Sequence, residues 1–136
     1  MNFITHENLI YALRKKYPNL VHGKDYLVSQ LLDPETGFQS ADAEITVWIA
    51  TEPKPDIAAI RADAVACYNE YIGERVRRQR DGLLTASDWT QAADVPNALR
   101  EKWVAYRQAL RDITSQQGFP TDIKWPVVPS GAASSR

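Results

Sequence analysis

The sequence has one cysteine and two histidines in 136 residues. A single thiol, Cys67, excludes an intramolecular disulfide and any multi-cysteine zinc site. His6 and His22 have no cysteine or second histidine at ligand spacing, so no metal or other cofactor is expected. The six glycines are scattered, and none forms a phosphate-cradling loop. No apolar run approaches the roughly 18 residues of a membrane span. The opening stretch, MNFITHENLIYALRKK, puts its basic residues after the apolar ones and lacks the apolar core of a secretory leader, so none is expected. Neither sign of charge dominates: 16 basic residues face 17 acidic ones, which argues against a generally basic nucleic-acid coat. What is present is ordinary for a folded chain, with 44% hydrophobic, 24% charged and 10% aromatic residues. The length is that of about one domain. A cytosolic protein is expected, in whatever cell makes it.

The first element reads as a short helix. Thr5 can cap it, Ile4 and Leu9 can staple its entry, and Leu9, Leu13 and Tyr17 repeat every four residues until Pro18 stops it. From Asp25 to Leu31 the period becomes that of a strand, with Tyr26 and Val28 on one face and Leu27, Ser29 and Leu31 on the other. Asp33 to Gly37 is a turn or loop. Glu44 to Ala50 is the clearest strand: Ile45, Val47 and Ile49 alternate with Thr46 and Trp48, which places Trp48 on the more polar face. The two strands should pair antiparallel, with Phe38 to Ala43 extending or bulging the second. A ribbon of two strands is marginal alone, so a helix should cover its apolar side.

Pro53 and Pro55 make a stiff, extended hinge. Asp56 then caps a long helix expected to run to Asp81 and end at Gly82. Ile57, Ile60, Ala64, Cys67 and Tyr71 form its 3-4 stripe. Such a rod is too long for one compact core, and its protruding stripe suggests self-association. Leu83 to Gln91 reads as an ordered loop with a helical turn from Asp88. A second helix begins near Pro96, with Leu99, Trp103, Tyr106, Leu110 and Ile113 stepping by four and three. The expected fold class is α+β, mainly α. A small N-terminal helix and β-hairpin (1–52) precede the hinge (53–55). A long antiparallel helical hairpin and an extended segment follow (56–129), then a polar tail (130–136) with nothing to bury.

The chain has few candidate reactive groups. Cys67 lies on an apolar helix stripe, where a small buried hydrophobe is the ordinary reading. Carboxylates such as Asp81 and Asp88 read as caps or solvated acids, and nothing pushes a pair of pKa values apart. No enzyme is expected. Arg75, Arg77, Arg78 and Arg80 form a basic run spread around a helix. A solvated helix end is its simplest reading, an acidic protein partner the next, and phosphate binding the last. Trp103 reads as core. Trp89 and Trp125, the latter followed by Pro126, are either lids that pin loop and tail onto the helices or anchors for another protein.

The C-terminal half carries a recognisable series of strings. Arg78 to Leu84 reads RQRDGLL, Ser87 to Gln91 reads SDWTQ, Asp94 to Pro96 reads DVP, Trp103 to Ile113 reads WVAYRQALRDI, and Trp125-Pro126 closes the series. From about Ala62 to Pro129 the chain resembles the phage tail assembly chaperone family, small proteins of tailed bacteriophages and prophages. Tyr17-Pro18, Gly23 to Tyr26, Ile45 to Trp48 and Pro53 to Pro55 look like the small N-terminal module of other phage tail proteins. The resemblance implies a role in tail or tail-fibre assembly and no catalytic residues.

By their own chemistry the motif residues have architectural roles. Asp88 can cap the turn at Trp89. Arg107 and Arg111, four apart on a face away from Trp103 and Leu110, can tie down the SDWT loop through Asp88 or a backbone carbonyl. Tyr106 belongs with the aromatic stripe. Three functions follow as expectations. The leading one is an assembly chaperone that binds a phage tail or tail-fibre protein through Trp89, Trp125, Pro126, Arg75 and Arg78. The second is a permanent virion component, such as a fibre connector or baseplate accessory. The third is a small nucleic-acid-binding regulator built on the arginine run, which the flanking acids weigh against. The site of action is expected to be the host bacterial cytoplasm during assembly, or the virion tail. A homo-oligomer is compatible with all three, and no membrane partner is expected.

Overall fold

Thr5 opens the first helix: its side chain accepts a hydrogen bond from the Asn8 N–H, at 3.2 Å. The structure, a computed structural model, describes residues 2–129. The expected polar tail lies outside them. Helix α1 spans His6–Lys16, strand β1 Tyr26–Ser29, strand β2 Glu44–Trp48, helix α2 Ile57–Ala66, helix α3 Tyr68–Ala86 and helix α4 Asn97–Arg111, with 3₁₀ turns at Asp88–Gln91 and Asp112–Ser115. The fold is α+β and mainly α. The chain divides into two compact units, Met1–Tyr71 and Ile72–Arg136. The division falls inside α3, and the proline pair at 53 and 55, expected to separate two parts, lies within the first unit.

In the first unit α1, the hairpin and α2 enclose one core. Leu9, Leu13, Tyr26, Ile45, Ile60 and Ala64 are buried in it, and Ile4, Tyr17 and Trp48 pack against it. Asp56 caps α2 by accepting from the Ala59 N–H at 3.0 Å. The strands pair antiparallel, Tyr26 with Trp48, Leu27 with Val47, Val28 with Ile45 and Ser29 with Glu44. The register therefore shifts between Leu27 and Val28, and Thr46 is the extra residue. This bulge corrects the placement of Trp48. One unpaired residue reverses the facing of everything beyond it. Ile45 and Trp48 both turn inward, where the Trp48 ring stacks on Tyr26 at 5.7 Å and meets the edge of Tyr17 at 5.5 Å. Its indole N–H reaches the Glu52 carbonyl at 2.7 Å, which ties the proline segment back to the sheet.

Histidine takes part in the bulge. His22 Nε2 accepts the Val28 N–H at 3.0 Å. His6 sits against Gln30, whose side-chain oxygen accepts the His6 N–H at 2.7 Å and lies 3.1 Å from Nδ1. Both rings thus have structural neighbours.

The long helix expected from 56 to 81 is two helices, interrupted at Cys67 and continuing past Gly82 to Ala86. A one-residue interruption leaves the 3-4 stripe in phase, so periodicity cannot show it. Tyr71 is buried beside Tyr11, ring centroids 5.7 Å apart. Tyr71 donates to Glu7 at 3.2 Å and Tyr11 to Glu70 at 2.5 Å, a reciprocal pair that fixes the first turn of α3 on α1. Lys15 and then Tyr11 hold the Glu70 carboxyl below its ordinary 4.5. A depressed carboxylate stabilises above its unfolded value and loses that contribution as pH falls through its folded one. Denaturation midpoints of the first unit should therefore decline below pH 4.5. Glu70→Gln should flatten that decline, and an unchanged acid limb in this variant would contradict the assignment.

Gly82 does not stop α3 because it does not adopt positive φ; among the described residues only Gly23 and Gly37 do. A Cβ at Gly82 would meet nothing within 4 Å. Gly82→Ala should therefore stabilise the second unit by about 0.4–1 kcal/mol by restricting the unfolded chain. Thermal denaturation checks this, and a lowered midpoint would contradict it.

Candidate functional site

The second unit is built around Trp103, Tyr106 and Leu110 of α4, all buried. Leu83, Leu84, Trp89, Leu99 and Trp125 pack against them. The Trp103 ring lies edge-on to Tyr106 at 5.3 Å and tilted to Trp89 at 6.0 Å. Burial pushes the Tyr106 phenol up from its ordinary value. Three tryptophans far apart in sequence thus share one cluster, with Trp89 and Trp125 half-buried at its margin.

Arg107 holds the loop that carries Trp89. It is 8% exposed, four residues after Trp103 and on the same side of α4. That corrects the expectation that Arg107 and Arg111 share an outward face; Arg111 alone is exposed. One Arg107 nitrogen donates to the Leu84 carbonyl at 2.7 Å and to the Ser87 hydroxyl at 2.6 Å. The other donates to Asp88 at 2.9 Å. Asp88 is therefore an ion-pair partner of Arg107 and not the cap of the turn, which has no side-chain cap bond. Ser87 in turn donates to the carbonyls of Leu83 and Leu84 at 2.9 and 3.1 Å. The last carbonyls of α3, which a helix end leaves without partners, are met by Ser87 and Arg107 together. Thr90, fully buried, closes the loop through its hydroxyl to the Ser87 carbonyl at 2.6 Å.

Trp125 is placed by a second device. Gln116 accepts the Lys124 N–H and donates to the Lys124 carbonyl, both at 2.8 Å, as a neighbouring strand would. From Ile123 to Pro129 the chain is irregular, with no strand partner. Pro126 is half-buried. The arginine run is partly used inside the unit: Arg77 lies over the Phe119 ring at 5.2 Å and Arg80 pairs with Asp81 at 2.9 Å. Arg75 and Arg78 are exposed.

Residues 73–130 match the family model described as phage tail assembly chaperone protein. The C-terminal part of the chain is similar to the phage tail assembly chaperone family. Residues 9–70 match a second model, described as XkdW protein, also of a phage tail-related family. The two matches meet where the two structural units meet, at Tyr71 and Ile72. No curated protein and no solved structure matches the chain. The chaperone-family segment contains the whole tryptophan cluster and its arginine tether. The match supports a phage tail-associated function, and the matched family implies interaction with phage tail proteins.

Elsewhere, α1 and the α2–α3 junction line a hollow of about 360 Å³ that includes Ala12, Lys15, Cys67 and Glu70. Lys15 and Glu70 pair across it at 2.8 Å, and burial pushes the Cys67 thiol up. Among the described residues, no three His, Cys, Asp or Glu side chains group as metal ligands. No helix among those residues is long and apolar enough to cross a membrane.

Sequence reasoning missed the role of Ser87 and Thr90. The signal was present: small hydroxyl residues beside Asp88 just after a helix end are suited to meet free carbonyls.

Proposed function

We propose that this protein is a phage tail assembly chaperone that acts by binding a tail or tail-fibre protein, with no bond-making centre of its own. The observation that carries this is the match of the C-terminal segment to the chaperone family, over the same residues that build the tryptophan cluster. A rigid loop tethered by Arg107 presents the half-buried Trp89, and the Gln116 clamp presents Trp125 and Pro126 beside it. Aromatic side chains held in fixed positions suit protein recognition, because little conformational freedom is lost on binding. Arg75 and Arg78 supply cations near the same unit's helix for a carboxylate on the partner. The protein works in the host cytoplasm while tails are built and leaves before the particle is complete.

Co-expression with the neighbouring fibre or tail gene tests the reading. The client should become more soluble and co-purify, and Trp125→Ala should weaken the pairing. No co-purification and no change in client solubility would contradict it. Mass spectrometry of purified particles tests the departure: stoichiometric retention would make the chain a structural component instead.

A further inference from the structure

We infer that the outer face of the β1–β2 hairpin is a second docking surface, suited to a cationic, aliphatic surface on a tail protein; this rests on the binding function proposed above. The bulge at Thr46 turns Ile45 and Trp48 into the core and leaves the paired Leu27 and Val47 outward, 42% and 37% exposed. Ile49, two residues beyond Val47 and so on the same face, is 68% exposed. The connecting loop carries three further exposed apolar residues, Leu31, Leu32 and Phe38, the last 76% exposed. Single exposed apolar residues are ordinary, but a paired set on one sheet face marks an interaction surface.

The charge around this face selects the occupant. From residue 25 to residue 53 the chain carries Asp25, Asp33, Glu35, Asp42, Glu44 and Glu52, and no lysine, arginine or histidine, with the exposed Lys24 and Lys54 standing at its two ends. Asp33 keeps its charge at neutral pH, since the Thr36 and Glu35 N–H groups hold its carboxyl below the usual range. Arg61 of α2 reaches Glu44 at 3.4 Å and the Ala43 carbonyl at 2.9 Å. The six carboxylates outnumber Arg61, Lys24 and Lys54, so the segment that carries this face is net anionic. Two copies meeting face to face would oppose like charges, whereas a partner with lysines or arginines around an aliphatic centre would match.

The test uses the full chain with each structural protein of the same tail gene cluster, taking the one that forms a defined complex. Two variants probe the face. Val47→Thr with Ile49→Thr keeps β-branched residues in the strand, and Glu35→Lys with Glu52→Lys reverses the rim. Each should weaken the complex roughly tenfold or more. Thermal midpoints should not change, and the wild-type complex should loosen as salt rises. A complex that forms but ignores both variants overturns this inference and leaves the binding function standing. A wild-type dimer that the threonine variant disperses overturns it in favour of a second copy. If no tail protein forms a complex at all, the inference and the proposed function fall together.

Discussion

Arg107→Ala should cost the C-terminal unit about 2–4 kcal/mol, more than any other single polar substitution in the chain. The guanidinium makes three hydrogen bonds while 8% exposed. Truncation removes the strongest of the Leu84 carbonyl's donors, leaving it the Ser87 hydroxyl and N–H, and takes from the Ser87 oxygen the donor it accepts from, in a site that water does not freely enter. The exposed Asp88 partner contributes little of this, since a carboxylate in water is already well solvated. Arg107→Lys should recover only part of the loss, because one ammonium cannot reproduce a planar fork aimed at three acceptors. Arg111→Ala, on the exposed side, should change stability by less than about 0.5 kcal/mol. Urea denaturation followed by tryptophan fluorescence measures all three. Equal effects at 107 and 111 would contradict the tether.

Trp103→Ala should be larger still, about 3–5 kcal/mol. Trp103 contacts Trp89 and Tyr106 through its ring and sits in the centre of the cluster. Truncation opens a cavity that Leu110, already fully buried, cannot fill without leaving its own place. The Trp103 indole nitrogen is buried without a hydrogen-bond partner, so Trp103→Phe should cost much less than Trp103→Ala. Trp125→Ala separates two roles. As a lid alone, Trp125 would affect stability and leave client binding in proportion to the folded fraction. As an anchor, it would weaken binding in protein that remains folded. The same denaturation curves, with a binding isotherm for each variant, distinguish these.

Much of the fold was legible because local chemistry and tertiary packing agree. Thr5 and Asp56 each precede an apolar helical repeat and each caps it. Tyr26 and Val28 alternate inward as their spacing requires. The misplacement of Trp48 has a definite source. Ile45 to Ile49 alternates cleanly, but a bulge is a property of pairing with another strand, and His22, which accepts the Val28 N–H, lies outside both strands. The break at Cys67 was hidden because Ile60, Ala64 and Tyr71 stay on one stripe across it. Gly82 misled because a glycine ends a helix only where positive φ is needed, and here Ser87 and Arg107 meet the end of α3 five residues later.

The candidate site was legible in part. The strings SDWTQ and YRQAL pointed to a loop tied by an arginine, and Arg107 does reach Asp88. The assignment of Arg107 to an outer face failed because an arginine is usually solvated, and only its three acceptors make burial tolerable. The joining of Trp125 to Trp89 and Trp103 goes with the Gln116–Lys124 clamp, a contact between residues with no periodic relation.

The most direct test of the account is size-exclusion chromatography with light scattering on the chain mixed with its purified tail or fibre client. A stoichiometric complex, with both polypeptides recovered at unchanged mass, is the predicted result. Separate elution of the two at every concentration tried, or recovery of a client that has been covalently altered, would contradict it.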